Sequence, residues 1–380
     1  IKKILPTARI YLTGTHVSAL PEETLKLFPD VDGVVVGELE YPLLDLAKGM
    51  PLNEVRGIVY RDGNRIFHSK PNEIFKELFQ LEWVSKIYRK FLNIDNYFYS
   101  ALRYPVITIN AGRGCHYNCS FCVLPQVFTG HNVRLREVDD IIAELEYIKS
   151  EMPWVKEIMF EDDTFTIDQL WLKRFCLELI VRKIKIRWSA NARAELSLNT
   201  LKLMKLAGLR LLFVGFESPN KKTLHSIHKG ITPEQQQVFM ANTRLAKVKV
   251  HGSFIFGLPG ETMGDMGDTI SYAIKLQPDT CQFFPLIPYP GTEMFHQLNK
   301  KGHIKFEKYR DYLTPEGYHS TVLAYPDVST DEILAMCRIA RRIFYRRPGY
   351  ILKKISQILF NPAEAKRIIR AYWNFRKHMK

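Results

Sequence analysis

No stretch of this 380-residue chain approaches the ~20 consecutive apolar residues that cross a bilayer; the longest runs, such as Leu211–Val214, are far shorter. No signal-peptide pattern is visible. Cysteine is scarce. There are six, none before Cys115, and three of them crowd between Cys115 and Cys122. That usage excludes a disulfide scaffold and points to a reducing compartment and a metal site. Acidic residues all but vanish from the C-terminal end. From Arg338 to Lys380 thirteen Lys or Arg face one acid, Glu364, a net +12 out of +14 for the whole chain. The preceding residues are therefore close to neutral, and the basic character belongs to the tail. Low-complexity tracts and sequence repeats are absent. With 46% hydrophobic and 25% charged residues, the chain is neither disordered nor collagen-like.

The length suits two or three domains. Residues 1–70 alternate strand and helix: Arg9–Thr13 and Asp32–Val36 as strands, Glu22–Phe28 and Leu43–Lys48 as helices. This α/β pattern implies a parallel sheet. Two strands are too few for a full doubly wound sheet, so a truncated one is expected. Val55–Tyr60 and Arg65–His68 then form a hairpin around Asp62-Gly63-Asn64. Residues 71–103 read as a linker. Residues 104–300 carry six short apolar strands, at Val106–Asn110, Glu157–Phe160, Ile186–Ala190, Leu211–Phe216, Val250–Phe256 and Thr280–Leu286, with helices between them. Six such repeats predict a partial (β/α)6 TIM-like barrel, with its chemistry at the C-terminal strand ends. Residues 301–380 read as a helical, basic region broken by Pro348 and Pro362.

After the first barrel strand comes Gly112-Arg113-Gly114-Cys115-His116-Tyr117-Asn118-Cys119-Ser120-Phe121-Cys122, a CxxxCxxC spacing. Three thiolates on one glycine-led loop suit zinc or an iron–sulfur cluster. A structural zinc site closes with four ligands. No fourth cysteine is nearby, and His116 directly follows Cys115, a position that turns its side chain away. Three ligands on a 4Fe–4S cluster leave one iron open for reaction. A zinc knot or a chance grouping is the bland alternative.

With aromatic Phe121 before Cys122, the segment resembles the CxxxCxΦC motif of the radical S-adenosylmethionine (radical SAM) enzymes, and the likeness extends over residues 104–300. The resemblance implies that Cys115, Cys119 and Cys122 bind a 4Fe–4S cluster whose open iron takes the amino and carboxylate groups of S-adenosylmethionine. One electron into the sulfonium then releases methionine and a 5′-deoxyadenosyl radical, which abstracts a substrate hydrogen. The protein positions and shields this chemistry. It also implies roles at the strand ends. Glu161, Asp162 and Asp163 stand where the family contacts the methionine amino group, in an Asp-Asp-x-Phe version; helix-capping acids are the alternative. Asn191 and Arg193 stand where an Arg grips the carboxylate in a two-pronged bond, against a plain surface Arg. Glu217 and Ser218 match contacts to ribose and methionine. Gly257 and Gly260 would let backbone lie against adenine, against a simple Gly-Pro turn. His225, His228, Cys176, Cys281 and Cys337 lack motif context and read as structural.

The front residues, Gly14-Thr15-His16 and Val34-Val35-Val36-Gly37-Glu38, resemble the second half of the cobalamin-binding domain fused to many radical SAM enzymes, with Gly14 and Gly37 approaching the corrin or its tail. Thr15 and Leu39 depart from the usual pattern, and a remnant domain that only packs is the alternative. The branch resembled most contains the anaerobic magnesium-protoporphyrin ester cyclase and the hopanoid-tailoring enzymes. That implies a cytoplasmic enzyme of methyltransferase or cyclase type, with cobalamin, a hydrophobic lipid or tetrapyrrole substrate, and a flavodoxin or ferredoxin as electron donor. The basic, apolar tail suggests peripheral contact with the inner face of a membrane; packing on the barrel is its plain reading and nucleic acid a weaker one. An RNA-modifying radical SAM enzyme and a non-catalytic iron–sulfur or zinc protein are the rival functions.

Overall fold

The structure is a computed structural model that describes residues 1–306, 308–360 and 362–376. The chain forms two compact units that do not follow sequence order: residues 1–78, 113–134 and 288–302 in one, and residues 79–112, 135–287 and 303–380 in the other.

The first, front unit holds a four-stranded sheet in the order β1 (Tyr11–Leu12), β2 (Gly33–Val35), β3 (Ile58–Asp62), β4 (Arg65–His68). Only β1 and β2 run parallel; β2–β3 and β3–β4 are antiparallel. The hairpin thus extends the sheet that the first two strands begin. Helices α1 (Thr15–Ala19), α2 (Pro21–Leu27) and α3 (Glu40–Ala47) accompany it. Val34, Val59, Leu25 and Val31 form one buried cluster; Val35, Ile58, Val55 and Tyr60 form another. This is the alternation of a sheet buried on both faces. The cysteine loop belongs to the same unit.

The second, larger unit is built on six strands, all parallel: β5 (Val106–Ile109), β8 (Glu157–Phe160), β9 (Trp188–Ala192), β10 (Leu209–Glu217), β11 (Lys249–Phe256) and β12 (Thr280–Pro285), hydrogen-bonded in that sequential order. A small ribbon, β6 (Gly112–Arg113) with β7 (Arg134–Leu135), brackets the cysteine loop. The third strand begins two residues later than the sequence suggests, because Trp188 rather than Ile186 enters the core. Trp188 packs with Phe160, Phe165 and Phe175 at ring separations of 5.4–5.8 Å. Before the sheet, α4 (Val84–Phe91) docks on it and on α5 (Val138–Glu151), with Tyr88 Oη 3.0 Å from Thr108 Oγ1 and Ser85 donating to Glu144.

The other helices are α6 (Gln169–Val181), α7 (Leu198–Leu206), α8 (Lys221–Ser226), α9 (Pro233–Leu245) and α10 (Met263–Leu276). Their starts are set by local chemistry: Thr232 with Gln235 and Thr262 with Asp265 make capping boxes. In the front unit α11 (Glu293–Lys300) follows its cap Thr292. Back in the larger unit, α12 (Thr330–Tyr345) packs along β12, where the Tyr345 hydroxyl accepts from the Cys281 amide and donates to its carbonyl. Then come α13 (Pro348–Phe360) and α14 (Pro362–Arg376). The Phe375 side chain and residues 377–380 lie outside the described residues. Among those described, no helix is long and apolar enough to cross a membrane.

Candidate functional site

The front unit carries the three cysteines. Gly114 has φ +88°, and a Cβ there would stand 2.2 Å from the Asn132 carbonyl oxygen. Glycine is therefore what lets the outgoing chain run against the returning one. The Cys115 amide donates to the Gly130 carbonyl, and His131 Nδ1 lies 3.1 Å from the Cys115 carbonyl oxygen. Cys115 and Cys119 are buried, Cys122 and Phe121 half-buried, and His116 is exposed. None of the three thiols is in a disulfide.

Glu38, buried at the end of the segment after β2, anchors both arms of the loop. Arg134 grips it with two parallel bonds of 2.8 and 2.9 Å, Arg113 approaches at 3.3 Å, and the Phe75 amide donates to it. Arg134 also donates to the Thr129 carbonyl. Of the two glycines beside this sheet, Gly14 opens onto free space, whereas Gly37 is approached by Asn72 Nδ2 and the Phe128 carbonyl.

Among the described residues no three His, Cys, Asp or Glu side chains are already gathered around one point. The fit to a metal centre rests on donor chemistry: three soft thiols on one tightly tied loop, the donor set of an iron–sulfur cluster with one open iron. The remaining cysteines offer nothing similar. Cys176, Cys281 and Cys337 are buried in the other unit, where burial pushes the Cys176 and Cys337 thiols up to about 12.

The larger unit gathers the other residues at the C-terminal ends of its strands. Asp162, after β8, is 3% exposed. One carboxylate oxygen accepts from the Ala111 amide at 3.1 Å and the other has no partner. Burial pushes its pKa up to about 7. Glu161 is exposed and Asp163 half-buried. None of the three caps the next helix, since Asp168 does so by accepting from the Leu170 and Trp171 amides. The capping alternative therefore falls. Asn191 donates to the Asp162 carbonyl and accepts from the Phe165 amide through its own carbonyl, tying the ends of β8 and β9 together.

Arg193 is buried, not a surface arginine, and donates to the Lys229 carbonyl. Glu217 sits at φ +62° and its carboxylate takes the Lys229 ammonium at 2.6 Å, both ends nearly buried. Gly215 leaves room for this: a Cβ there would meet the Glu217 carboxylate at 2.0 Å. Ser218 lies 3.5 Å from Glu261, whose other oxygen accepts from the Leu258 amide at 3.0 Å. Gly257, at φ +80°, is more than a turn, since the Tyr325 hydroxyl donates to its carbonyl and Ile333 occupies the space of its missing Cβ. Gly260 is exposed at φ +81° with open space beside it.

Sequence reasoning missed Lys229, Glu261 and Tyr325 as members of this edge. The Glu-Thr after Gly260 was visible, but nothing in the sequence marks Glu261 as buried or Lys229 as the partner of Glu217. Burial pushes the Glu261 carboxyl up to about 7. The folded state thus holds a proton that the unfolded state releases near 4, so stability falls as pH rises from about 4 through 7. Glu261→Gln keeps the acceptor for Leu258 and removes the titration. We expect the parent to lose on the order of 1–3 kcal/mol between pH 5 and pH 8 that the variant retains. Urea unfolding at both pH values checks this; equal pH slopes in the two proteins would contradict it.

These features define a class before they define a reaction. Residues 109–273 match the family model of the Radical SAM superfamily, so this part of the chain carries a radical SAM domain. Across 361 residues it is 29% identical to an uncharacterized methyltransferase of Pyrococcus horikoshii, covering 94% of this chain and 76% of that one. It is 26% identical over 328 residues to the anaerobic magnesium-protoporphyrin IX monomethyl ester cyclase of Cereibacter sphaeroides, covering 82% of this chain and only 52% of that enzyme. In structure it is similar to the radical SAM methyltransferase TsrM from Kitasatospora setae, solved with cobalamin and a [4Fe–4S] cluster bound, with a TM-score of 0.68, 16% identity, and coverage of 88% of this chain and 72% of that one. That likeness shows a shared α/β fold.

Proposed function

We propose that this chain is the catalytic part of a cobalamin-linked radical SAM enzyme acting on carbon centres of a hydrophobic substrate, by methyl transfer, cyclisation or rearrangement. The observation that carries the proposal is the CxxxCxΦC loop, tied by Gly114 and Glu38, in a chain with a radical SAM domain. Cys115, Cys119 and Cys122 hold the cluster. When bound, that cluster supplies the electron that cleaves S-adenosylmethionine and so yields the radical that takes a substrate hydrogen.

The residues at the strand ends bind and orient. Asp162, with an oxygen left over and a carboxyl poised near neutrality, accepts from the methionine ammonium. Arg193 and Ser218 take carboxylate and hydroxyl groups. Glu217 acts through the carboxylate that pairs with Lys229. Gly260 gives the adenine a flat approach. Cobalamin is the second cofactor, and of Gly14 and Gly37 it is Gly14 that has open space beside it. A hydrophobic substrate, lipid or tetrapyrrole, and a flavodoxin- or ferredoxin-type donor are proposed from the relatives' chemistry.

The test supplies methyl-deuterated S-adenosylmethionine and hydroxocobalamin to the anaerobically reconstituted protein with isoprenoid lipids or porphyrin esters. A substrate product carrying the label, or a cyclised product two hydrogens lighter, supports the reading. Loss of all cobalamin on desalting, with no product from either class, contradicts it.

The tail bears on location. Arg338–Tyr345 belongs to α12, whose Cys337, Ala340 and Phe344 are buried, so the first part of the basic run is packing. Several later cations also serve the protein: Lys353 pairs with Asp279, Arg367 donates to the Ser100 carbonyl, and Arg370 lies over Phe98 and Tyr104. Yet no residue of α13 is fully buried, and Leu352, Leu359 and Phe360 are 66–84% exposed. We propose that α13 rests on an anionic membrane surface, apolar side down. The protein should float with anionic vesicles at low salt, and Leu352→Glu with Leu359→Glu should abolish flotation. Parental flotation of that variant, or none by the parent, would reduce α13 to a packing element.

A further inference from the structure

Cys119 and Cys122 are joined by a turn in which the Cys122 amide donates to the Cys119 carbonyl. The next residues, Leu124–Phe128, form a single π-helical turn, an unusual geometry that recurs at functional sites. At its middle stands Gln126, which no motif singles out. Its carboxamide nitrogen donates to three carbonyls in the cysteine turn: Cys122 at 2.8 Å, Cys119 at 3.1 Å and Ser120 at 3.3 Å. Its oxygen accepts from the Glu293 amide, in the first turn of α11, at 2.8 Å. The neighbouring Met294 amide donates to the Ser120 carbonyl. One neutral side chain therefore gathers the carbonyls of two cysteines and fastens them to a helix from a segment more than 160 residues away in the chain.

We propose that Gln126 is a positioning residue for the metal centre, fixing the Cys119–Cys122 turn so that both thiols meet one cluster. The physical reason is complementarity. Carbonyls drawn in from water need donors, the Cys122 amide supplies one only to the Cys119 carbonyl, and an amide side chain offers donors on one side with an acceptor on the other. Aspartate or glutamate would turn a carboxylate towards three carbonyl oxygens. Leucine would remove the Gln126 donor from the Cys122 carbonyl and leave those of Cys119 and Ser120 with their backbone donors alone. The inference rests on the reading that Cys115, Cys119 and Cys122 hold the cluster, and it goes beyond that reading by assigning the residue that sets the turn.

The experiment compares full-length parent, Gln126→Glu, Gln126→Leu and Cys119→Ala after anaerobic reconstitution. It measures iron per chain, the rate at which a ferrous chelator strips iron, the reduced-cluster EPR spectrum, and the thermal midpoint of the metal-free protein. Both Gln126 variants should keep a metal-free midpoint close to the parental one, lose iron to the chelator roughly tenfold faster, and broaden or shift the EPR signal, the scale expected when the Cys122 carbonyl loses its side-chain donor. Parental stripping rates and spectra in both variants would overturn the inference. So would a fall in the metal-free midpoint large enough to account for the faster loss, because Gln126 would then be a general packing residue. Iron retained at the parental level by Cys119→Ala would overturn the ligand reading itself, whatever the Gln126 variants do.

Discussion

Cys119→Ala, reconstituted under argon beside the parent, should lose its cluster: about four irons per chain in the parent, the stoichiometry of a 4Fe–4S centre, should fall close to none. The effect is large because three thiolates are already the minimum for such a cluster and the loop holds no fourth cysteine. His116 is exposed, and Cys176, Cys281 and Cys337 are buried in the other unit with thiols held protonated in at least two cases. The loop itself should survive the change. Its geometry is held by Gly114, by Arg134 on Glu38 and by Gln126, which bonds to the Cys119 carbonyl. Circular dichroism should thus be unchanged while the iron–sulfur absorption disappears. A variant that keeps parental iron and visible absorption would remove Cys119 from the ligand set.

Lys229→Met should be the most destabilising substitution at the strand ends. The Lys229–Glu217 pair is nearly buried, with side-chain exposures of 10% and 6%. Removing one partner leaves a buried charge without compensation, which costs about 3–5 kcal/mol. Glu217 has little freedom to escape. Its backbone is left-handed, and its carboxylate folds back over Gly215. The double variant Lys229→Met with Glu217→Gln removes both charges and should recover most of that loss. Urea unfolding of the three variants measures the coupling. If Lys229→Met falls within about 1 kcal/mol of the parent, the pair behaves as an exposed ion pair and the burial argued for it is wrong.

The parts legible in the sequence share one trait: they are written locally. Six apolar strands, each followed by glycine or polar residues, gave the order of the parallel sheet, and the cysteine spacing pointed to the metal chemistry. Even the helix starts at Pro233 and Met263 are local, since each is a capping box. What stayed hidden depends on partners distant in the chain. The acids at 161–163 were weighed as helix caps because they precede α6, but Asp168 holds that post. The β3–β4 hairpin was seen as a hairpin, yet not as the continuation of the front sheet, because its pairing with β2 joins residues about 25 apart. Glu38 looked like part of a ligand-binding turn and instead clamps Arg134, 96 residues on. Gly37 was expected to leave space, and Asn72 and Phe128 approach it. The tail was weighed as packing against membrane contact; packing holds for α12, and several cations further on are occupied by the protein's own groups, partners that the sequence does not mark.

The proposed chemistry stands or falls on whether the bound cluster turns over S-adenosylmethionine. The direct measurement is mass-spectrometric detection of 5′-deoxyadenosine from the reconstituted parent, under argon, with dithionite as electron source. 5′-Deoxyadenosine should form in step with time and enzyme concentration, and should be absent when S-adenosylmethionine or reductant is withheld. A parent that binds a full complement of iron yet forms no 5′-deoxyadenosine, with or without cobalamin and candidate substrates, would contradict the proposed chemistry.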